Sequence, residues 1–165
     1  MDYYFDVTTW VLINRTAKDL TRSTRVLDMG TGSVAVVGLT IWKRLGCSVI
    51  SSDINPEIVQ LAEECARRNG APIRTVCSRF FENVHEPFDV VIFNPPYVAT
   101  AHGLELDDSR KRRCQWDGGS DGTSIIRDFV VGLQALPHQV RAYVGVNPNP
   151  TKTQAARARA CSIRV

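Results

Sequence analysis

The 165-residue sequence lacks any run of 18 or more apolar residues and therefore offers no transmembrane helix. It also lacks internal repeats and low-complexity linkers. Its 44% hydrophobic and 22% charged residues are ordinary for a globular protein, which excludes a collagen, a coiled coil and a disordered chain. The first six residues carry neither the basic segment nor the apolar run of a secretory signal. We therefore expect a cytoplasmic protein without membrane contact, with the nucleus as the alternative.

Metal-binding patterns are missing as well. The five cysteines include no CxxC pair, and the three histidines cluster with none of them. We therefore expect no metal site within the chain. The odd number of cysteines favours reduced thiols, as in a cytosolic enzyme.

The net charge of +3 is concentrated at the C-terminal end. Residues 147–165 hold four of the 20 basic residues and no acid, so residues 1–146 carry 16 basic and 17 acidic side chains. A broad phosphate-binding face is therefore not predicted for the body of the protein. The basic cluster Arg110–Arg113 follows an acidic stretch and is interpreted as a self-neutralising loop, with contact to RNA or an acidic protein as the alternative.

Apolar runs typical of strands alternate along the chain with helical segments. Strands are predicted at Arg25–Met29, Cys47–Ser51, Ile73–Cys77, Phe88–Phe93 and Arg141–Val146, and helices at Ser33–Leu45, Pro56–Arg68, Thr123–Leu136 and Thr151–Ala160. The alternation predicts an α/β fold, a mostly parallel twisted sheet with helices on both faces. We expect a single domain over residues 1–165, in which residues 146–165 form a divergent tail. Ligands of such sheets bind beyond the carboxyl ends of the strands.

A glycine turn leaves the first predicted strand at Asp28-Met29-Gly30-Thr31-Gly32-Ser33. Gly30 and Gly32 permit positive φ and a close approach of the backbone to a ligand. Asp53 lies 21 residues after Gly32, at the end of the second strand, where a carboxylate can accept two hydrogen bonds from a ribose diol. The two features predict a cofactor that contains adenosine, either NAD or S-adenosylmethionine. A plain strand-to-helix turn is the alternative for the glycines.

The segment Asn94-Pro95-Pro96-Tyr97 follows the fourth predicted strand directly and favours S-adenosylmethionine. A planar nitrogen that accepts a methyl group has a delocalised lone pair, so acceptors on its N–H groups are needed to hold it. The Asn94 oxygen and a proline carbonyl can accept those protons, and Tyr97 offers a flat face to the planar group. A rigid loop without catalytic function is the alternative.

These segments resemble class I S-adenosylmethionine-dependent methyltransferases of the Asn-Pro-Pro-Tyr type, and above all the release factor glutamine methyltransferases (the HemK-like family) in their short eukaryotic and archaeal form. The resemblance covers roughly residues 3–136 and is carried by residues 28–33, 52–56, 88–98 and a glycine-rich loop at 116–122. It implies a Rossmann-like fold and methylation of a glutamine side-chain amide in a translation termination factor. The implied catalytic residues are Asn94, Pro95, Pro96 and Tyr97, and the implied cofactor-binding residues are Thr9, Asp28, Gly30, Thr31, Gly32, Asp53, Ile54, Phe80 and Asn94.

The chain departs from the family pattern in several places. Arg79 stands where the family usually has an acidic residue on the adenine side, and arginine cannot accept the amino protons of adenine. Of the Glu-Asp-Thr segment that covers the cofactor, only Thr9 is in place. The C-terminal hairpin is expected to be shortened, since only Cys161–Val165 follows the last predicted helix. The helical domain that precedes the catalytic domain in bacterial members is expected to be absent.

The third predicted strand would be an edge of the sheet in this fold, and an open edge must be paired or covered. The resemblance implies a small zinc-binding activator protein that pairs along this edge, beside the apolar residues Ile73, Val76 and Val59.

Three alternatives to glutamine methylation stay open. They are methylation of an adenine amino group in DNA or RNA, which would require nucleic acid binding, methylation of lysine, and a non-catalytic scaffold.

Overall fold

The computed structural model describes residues 7–106, 113–146 and 159–164. Its strands are β1 (Arg25–Met29), β2 (Ser48–Asp53), β3 (Arg74–Cys77), β4 (Val90–Phe93), β5 (Arg141–Val146) and β6 (Arg159–Arg164). They form a six-stranded sheet in the order β3-β2-β1-β4-β5-β6, in which β6 is antiparallel to β5 and the other pairs are parallel. The predicted α/β fold is confirmed, and the third strand lies at an edge of the sheet as expected.

The described helices are α1 (Val7–Thr16), α2 (Val36–Leu45), α3 (Pro56–Arg68), α4 (Thr100–Leu106), α5 (Arg113–Trp116) and α6 (Ser124–Gln134). The bounds of α3 agree with the prediction because its start and stop signals are strong. The Asn55 side chain accepts a hydrogen bond from the Glu57 amide at 2.9 Å, Pro56 occupies the first turn, and Gly70 follows the helix with φ +62°. None of these helices has the length and apolar character that crossing a membrane requires.

Helices cover both faces of the sheet. On one face Leu12 of α1 and Ile41 of α2 are fully buried in a cluster that includes Tyr143 of β5. On the other face α6 supplies Phe129, which is also fully buried and lies 5.1 Å from Phe93 of β4, ring centre to ring centre. Because both faces are covered, the central strand β4 is apolar throughout, and all four of its residues are buried.

Several elements differ from the prediction. Helix α2 begins three residues later than expected, because the buried Ala35 takes a left-handed conformation with φ +46° before the helix starts. The predicted helix Thr151–Ala160 is wrong at residues 159 and 160, which begin β6, while residues 147–158 lie outside the described residues. The C-terminal hairpin contains a six-residue strand that pairs antiparallel with β5. Of the cluster Arg110–Arg113, only Arg113 is described, as the first residue of α5.

Candidate functional site

The carboxyl ends of β1, β2 and β4 bring the predicted site residues to one edge of the sheet. Met29, the last residue of β1, is paired with Ser52 of β2 on one side and with Phe93 of β4 on the other. The segments that follow these three positions are the glycine turn, Asp53 and the Asn94 loop. The sheet order therefore places two segments predicted to bind a cofactor beside the segment predicted to bind a substrate.

The glycine turn needs both of its glycines, for different reasons. Gly30 and Gly32 have φ of +65° and +66°, a region that other residues rarely adopt. A Cβ atom on Gly30 would lie 3.2 Å from Cε2 of Phe93, so the turn packs closely on β4. A Cβ atom on Gly32 would meet no atom of the described residues within 4 Å, so this part of the turn borders space that a ligand can fill.

The side chains of Asp28 and Thr31 stabilise the glycine turn from its buried side. Both are buried, and one Asp28 oxygen accepts hydrogen bonds from the Thr31 hydroxyl at 2.6 Å and from the Gly38 amide at 3.0 Å. Burial raises the pKa of Asp28 from 3.8 to about 6, since a charged carboxylate is poorly solvated there. Their direct contact with a cofactor stays a prediction, because in this structure both side chains turn into the protein.

Asp53 links the end of β2 to the glycine turn. Its Oδ2 accepts a hydrogen bond from the Gly32 amide at 3.2 Å, and its Oδ1 accepts one from the Asn55 amide at 3.0 Å. Each carboxylate oxygen keeps acceptor capacity for a further donor, as a ribose diol would require. Ile54 follows with 58% of its surface exposed and offers an apolar face next to this carboxylate.

The predicted adenine side is built around Phe80. This residue has φ +48°, and its ring packs on Phe93 and Phe129 at centroid distances of 6.2 and 6.3 Å. The Arg79 guanidinium lies 5.0 Å from the centre of the Phe80 ring and forms an ion pair of 2.9 Å with Asp128 of α6. The expected stacking of Phe80 on adenine stays a prediction. Asp128, which no sequence motif singles out, brings a carboxylate close to Arg79, at the position where the family usually has an acidic residue.

The Asn94 loop is held by α1. The Asn94 Nδ2 group donates a hydrogen bond to the Thr9 hydroxyl at 3.0 Å, and the Tyr97 and Thr8 hydroxyls lie 3.0 Å apart. Asn94 Oδ1 is buried and has no hydrogen-bond donor among the described residues. Thr9 was predicted to bind the cofactor, and the structure places its hydroxyl on Asn94. The sequence analysis missed Thr8, which no motif singles out.

Gly145 of β5 completes the pocket around Asn94. A Cβ atom at this position would lie 2.6 Å from Asn94 Oδ1 and 2.7 Å from Cγ2 of Thr8, so only glycine leaves room for the asparagine side chain. The sequence analysis missed this residue too. A signal existed, because a glycine inside a predicted strand often marks a close approach of another group.

The glycine-rich loop at 116–122 packs behind the Asn94 loop. The Gly118 amide donates to the Val98 carbonyl at 2.8 Å, and a Cβ atom on Gly122 would lie 2.4 Å from the Tyr97 carbonyl oxygen. Asp117 accepts a hydrogen bond from the Thr100 hydroxyl at 2.6 Å. Burial works to raise the pKa of Asp117, but the hydrogen bonds from Thr100 and Arg113 outweigh it and lower the pKa.

The described residues contain no group of three or more His, Cys, Asp or Glu side chains that could hold a metal ion. This edge of the sheet does present hydrogen-bond acceptors, the Asp53 carboxylate and the buried Asn94 oxygen.

Several known proteins resemble this chain. A Methanocaldococcus jannaschii protein, whose name assigns it provisionally to the protein N5-glutamine methyltransferases, is 36% identical over 108 residues, covering 66% of this chain and 53% of its own length. The Agrobacterium fabrum release factor glutamine methyltransferase is 34% identical over 110 residues, covering 64% and 38%. A solved structure of a mutant of MtNAS in complex with S-adenosylmethionine superposes with a TM-score of 0.61 at 17% identity, covering 94% of this chain and 52% of the other.

The chain spans about half or less of the length of these curated relatives. The predicted resemblance to release factor glutamine methyltransferases is nevertheless confirmed, and the solved structure agrees with the Rossmann-like fold. The sequence model of the methyltransferase small domain matches residues 2–107, which include the glycine turn, Asp53 and the Asn94 loop. The chain belongs to the methyltransferase small domain family.

Proposed function

We propose that this protein transfers a methyl group from S-adenosylmethionine to the side-chain amide nitrogen of a glutamine in a translation termination factor. The observation that carries the proposal is the buried Asn94 oxygen, which lacks a donor among the described residues. A buried acceptor without a partner is costly, and a substrate N–H group would satisfy it. The names of the relatives, release factor glutamine methyltransferase among them, support an amide target.

The residues of the glycine turn fit the cofactor. Gly32 borders open space for the methionine end, and Asp53 carries a carboxylate with free acceptor capacity for the ribose. Ile54 gives the adenine an apolar face, and Phe80 is proposed to lie on its other side. When bound, S-adenosylmethionine supplies an electrophilic methyl group on a sulfonium centre.

The proposed chemistry depends on positioning and on the exclusion of water, since an amide nitrogen is a weak nucleophile. The Asn94 oxygen accepts a hydrogen bond from one N–H group of the glutamine amide, and the Pro95 carbonyl accepts a hydrogen bond from the other. Both contacts hold the nitrogen in line with the methyl group and increase its electron density. As the nitrogen–carbon bond forms, the carbon–sulfur bond breaks and leaves a neutral thioether, and the nitrogen loses one of its two protons to solvent through the acceptor that holds it. Pro96 restricts the backbone of the loop, and Tyr97 packs on the planar amide.

We also propose a small zinc-binding protein as the partner of β3. This strand has β2 on one side and lies at the sheet edge on the other, and an edge strand is a template for pairing with a second chain. Val76 of β3 is only partly buried against the core. Covering the edge is expected to raise the soluble yield on co-expression, and a monodisperse, thermally stable monomer without a partner would contradict this part of the proposal. A termination factor as target places the activity in the cytoplasm.

The test measures cofactor binding and methyl transfer separately. Calorimetric titration with S-adenosylmethionine, with and without the activator, reports binding. Transfer of labelled methyl is measured on a folded termination factor, on its Gly-Gly-Gln variant in which the glutamine is replaced, and on single-stranded DNA. We expect label on the intact factor alone. Equal label on the replaced variant would exclude the glutamine, label on DNA would favour adenine methylation, and absence of cofactor binding would favour a scaffold.

The substitution Asn94→Ala tests the assigned acceptor. Transfer is expected to fall at least about a hundredfold, which corresponds to about 3 kcal/mol of transition-state stabilisation, while the affinity for S-adenosylmethionine changes little. Asn69→Ala is the matched control, because it truncates an exposed asparagine at the end of α3, far from the loop in the fold. Equal rates for Asn94→Ala and Asn69→Ala would refute the role of Asn94.

A further inference from the structure

We propose that the first turn of α1 positions the catalytic loop for methyl transfer, with Thr9 orienting Asn94 and Thr8 restraining Tyr97. The two threonines are adjacent in the sequence, and each contacts a different residue of the loop, at 3.0 Å in both cases. The loop lies more than 80 residues further along the chain. The catalytic consequence rests on the proposed function, whereas the contacts themselves can be tested independently of it.

Both hydroxyls are fixed in the protein interior. Thr8 is 1% and Thr9 is 9% exposed, and the following turn of α1 inserts Leu12 and Ile13 into the core against the sheet. A threonine side chain also has few rotamers in a helix. The helix therefore presents two hydroxyl groups at fixed positions, and the loop residues are aligned on them.

Orientation of the Asn94 carboxamide decides whether the loop can bind its substrate. The torsion that turns a terminal carboxamide is soft, so the oxygen and the NH2 group exchange places easily unless a neighbour distinguishes them. With the NH2 group turned toward the substrate, a donor would face the N–H groups of the target amide. In the structure Nδ2 donates its hydrogen bond to the Thr9 hydroxyl, and the oxygen is the group of the carboxamide without a partner among the described residues.

Gly145 makes this arrangement sterically possible. Its missing Cβ atom would stand 2.6 Å from Asn94 Oδ1 and 2.7 Å from Thr8 Cγ2, so a side chain there would displace the asparagine and α1 together. The strand β5, the helix α1 and the Asn94 loop thus form one packed unit. A substitution at Thr9 is therefore expected to act on turnover through the loop.

The kinetic test compares three substitutions on α1. Thr9→Val removes the acceptor with nearly unchanged shape and is expected to lower kcat about tenfold to a hundredfold, with the affinity for S-adenosylmethionine unchanged. Thr9→Ser keeps the hydroxyl and is expected to restore most of kcat. Thr16→Val is the control, because it removes a buried hydroxyl that bonds only to carbonyls of its own helix, those of Leu12 and Ile13. We expect it to affect stability and leave kcat unchanged.

A spectroscopic test needs no turnover. In the side-chain amide region of a 15N–1H spectrum, the Asn94 NH2 signals of the ligand-free protein should shift and exchange faster with water in Thr9→Val, and should remain in place in Thr9→Ser and Thr16→Val. Unchanged Asn94 signals, or a loss of cofactor affinity in Thr9→Val as large as its loss of kcat, would overturn the proposal. If the wild type transfers no methyl to any substrate, the proposed function fails, while the spectra still decide whether Thr9 orients Asn94.

The Thr8 contact is tested by a double-mutant cycle of Thr8→Val and Tyr97→Phe. Since each substitution removes one of the two hydroxyls that contact each other, the double variant should lose no more kcat than the more damaged single variant. Strictly multiplicative losses would refute the coupling between Thr8 and Tyr97.

Discussion

The buried carboxyl of Asp28 predicts an unusual dependence of stability on pH. Only 2% of this residue is exposed, and burial raises the pKa of its carboxyl from 3.8 to about 6 in the folded protein. Between these two values the folded protein binds more protons than the unfolded chain. The contribution of Asp28 to the free energy of unfolding therefore falls as the pH rises through this window. The other described carboxylates with a shifted pKa, such as Asp89 beside Arg25, act in the opposite direction, because their pKa values are lowered.

The magnitude follows from the shift. A difference of roughly two pH units between the folded and the unfolded pKa corresponds to about 3 kcal/mol over the whole window, of which about 2 kcal/mol falls between pH 4.5 and pH 7.5. Asp28→Asn removes the ionisation and keeps one oxygen for the hydrogen bonds that Thr31 and Gly38 donate. The variant loses some stability at every pH, because its NH2 group cannot accept a hydrogen bond, but this loss does not vary with pH.

The assay is urea denaturation of the wild type and of Asp28→Asn from pH 4.5 to pH 7.5. The difference between the two free energies of unfolding cancels the titration of all other groups. The free energy of unfolding of the wild type minus that of the variant should fall by about 2 kcal/mol as the pH rises from 4.5 to 7.5. A difference that is independent of pH would show that Asp28 titrates near its ordinary pKa, and the account of a buried carboxyl beneath the glycine turn would then be refuted.

Three further substitutions test the site and the core. Asp53→Asn should weaken S-adenosylmethionine binding by about 2–3 kcal/mol in calorimetry, with the exposed Glu63→Gln unchanged as control, and equal affinities would reject the ribose assignment. Gly32→Ala should lower stability by only about 1–2 kcal/mol through its φ of +66°, yet abolish most cofactor binding because the new methyl group enters the open space beside the turn; retained affinity would place the cofactor elsewhere. Phe129→Ala should cost about 3–5 kcal/mol in urea denaturation, and a loss below about 1 kcal/mol would contradict its place in the core.

Much of the fold was predictable because the relevant signals are local. The strand β1 and the helix α3 have the bounds that their apolar patterns and end signals predict. The parallel sheet that the alternation predicts brings the carboxyl ends of its strands to one side, so the glycine turn, Asp53 and Asn94 are predicted to lie near one another there. The left-handed Ala35 could not be predicted, since its conformation depends on packing in the buried turn.

The parts that were missed depend on contacts between distant segments. Thr8 reads as an ordinary residue near the start of the chain, and Thr9 was predicted to bind the cofactor but not to contact Asn94. Asp128 reads as one more charge on the polar face of α6. Their partners Tyr97, Asn94 and Arg79 are 89, 85 and 49 residues away. A pattern with a period of two or 3.6 residues carries no information about such pairs. Gly145 was predictable in part. A glycine within a strand is a local signal of a close approach, but only the fold shows that the approaching group is Asn94.

The proposed site divides into a cofactor half and a substrate half, which come from neighbouring strands of the sheet. The cofactor half consists of loops after β1 and β2, and it is stiffened by backbone amides that donate to Asp28 and Asp53. The substrate half consists of the loop after β4, and it is stiffened by side-chain hydroxyls of α1 and by the glycine-rich loop behind it. Phe93 connects the two halves, since it precedes Asn94 in the chain and its ring packs closely against Gly30 of the glycine turn. A methyl group passed between two such halves needs both to be rigid at the same time, because an in-line displacement tolerates little error in distance or angle. Substitutions of Thr8 or Thr9 should therefore reduce turnover without reducing cofactor affinity, whereas substitutions in the glycine turn should reduce both.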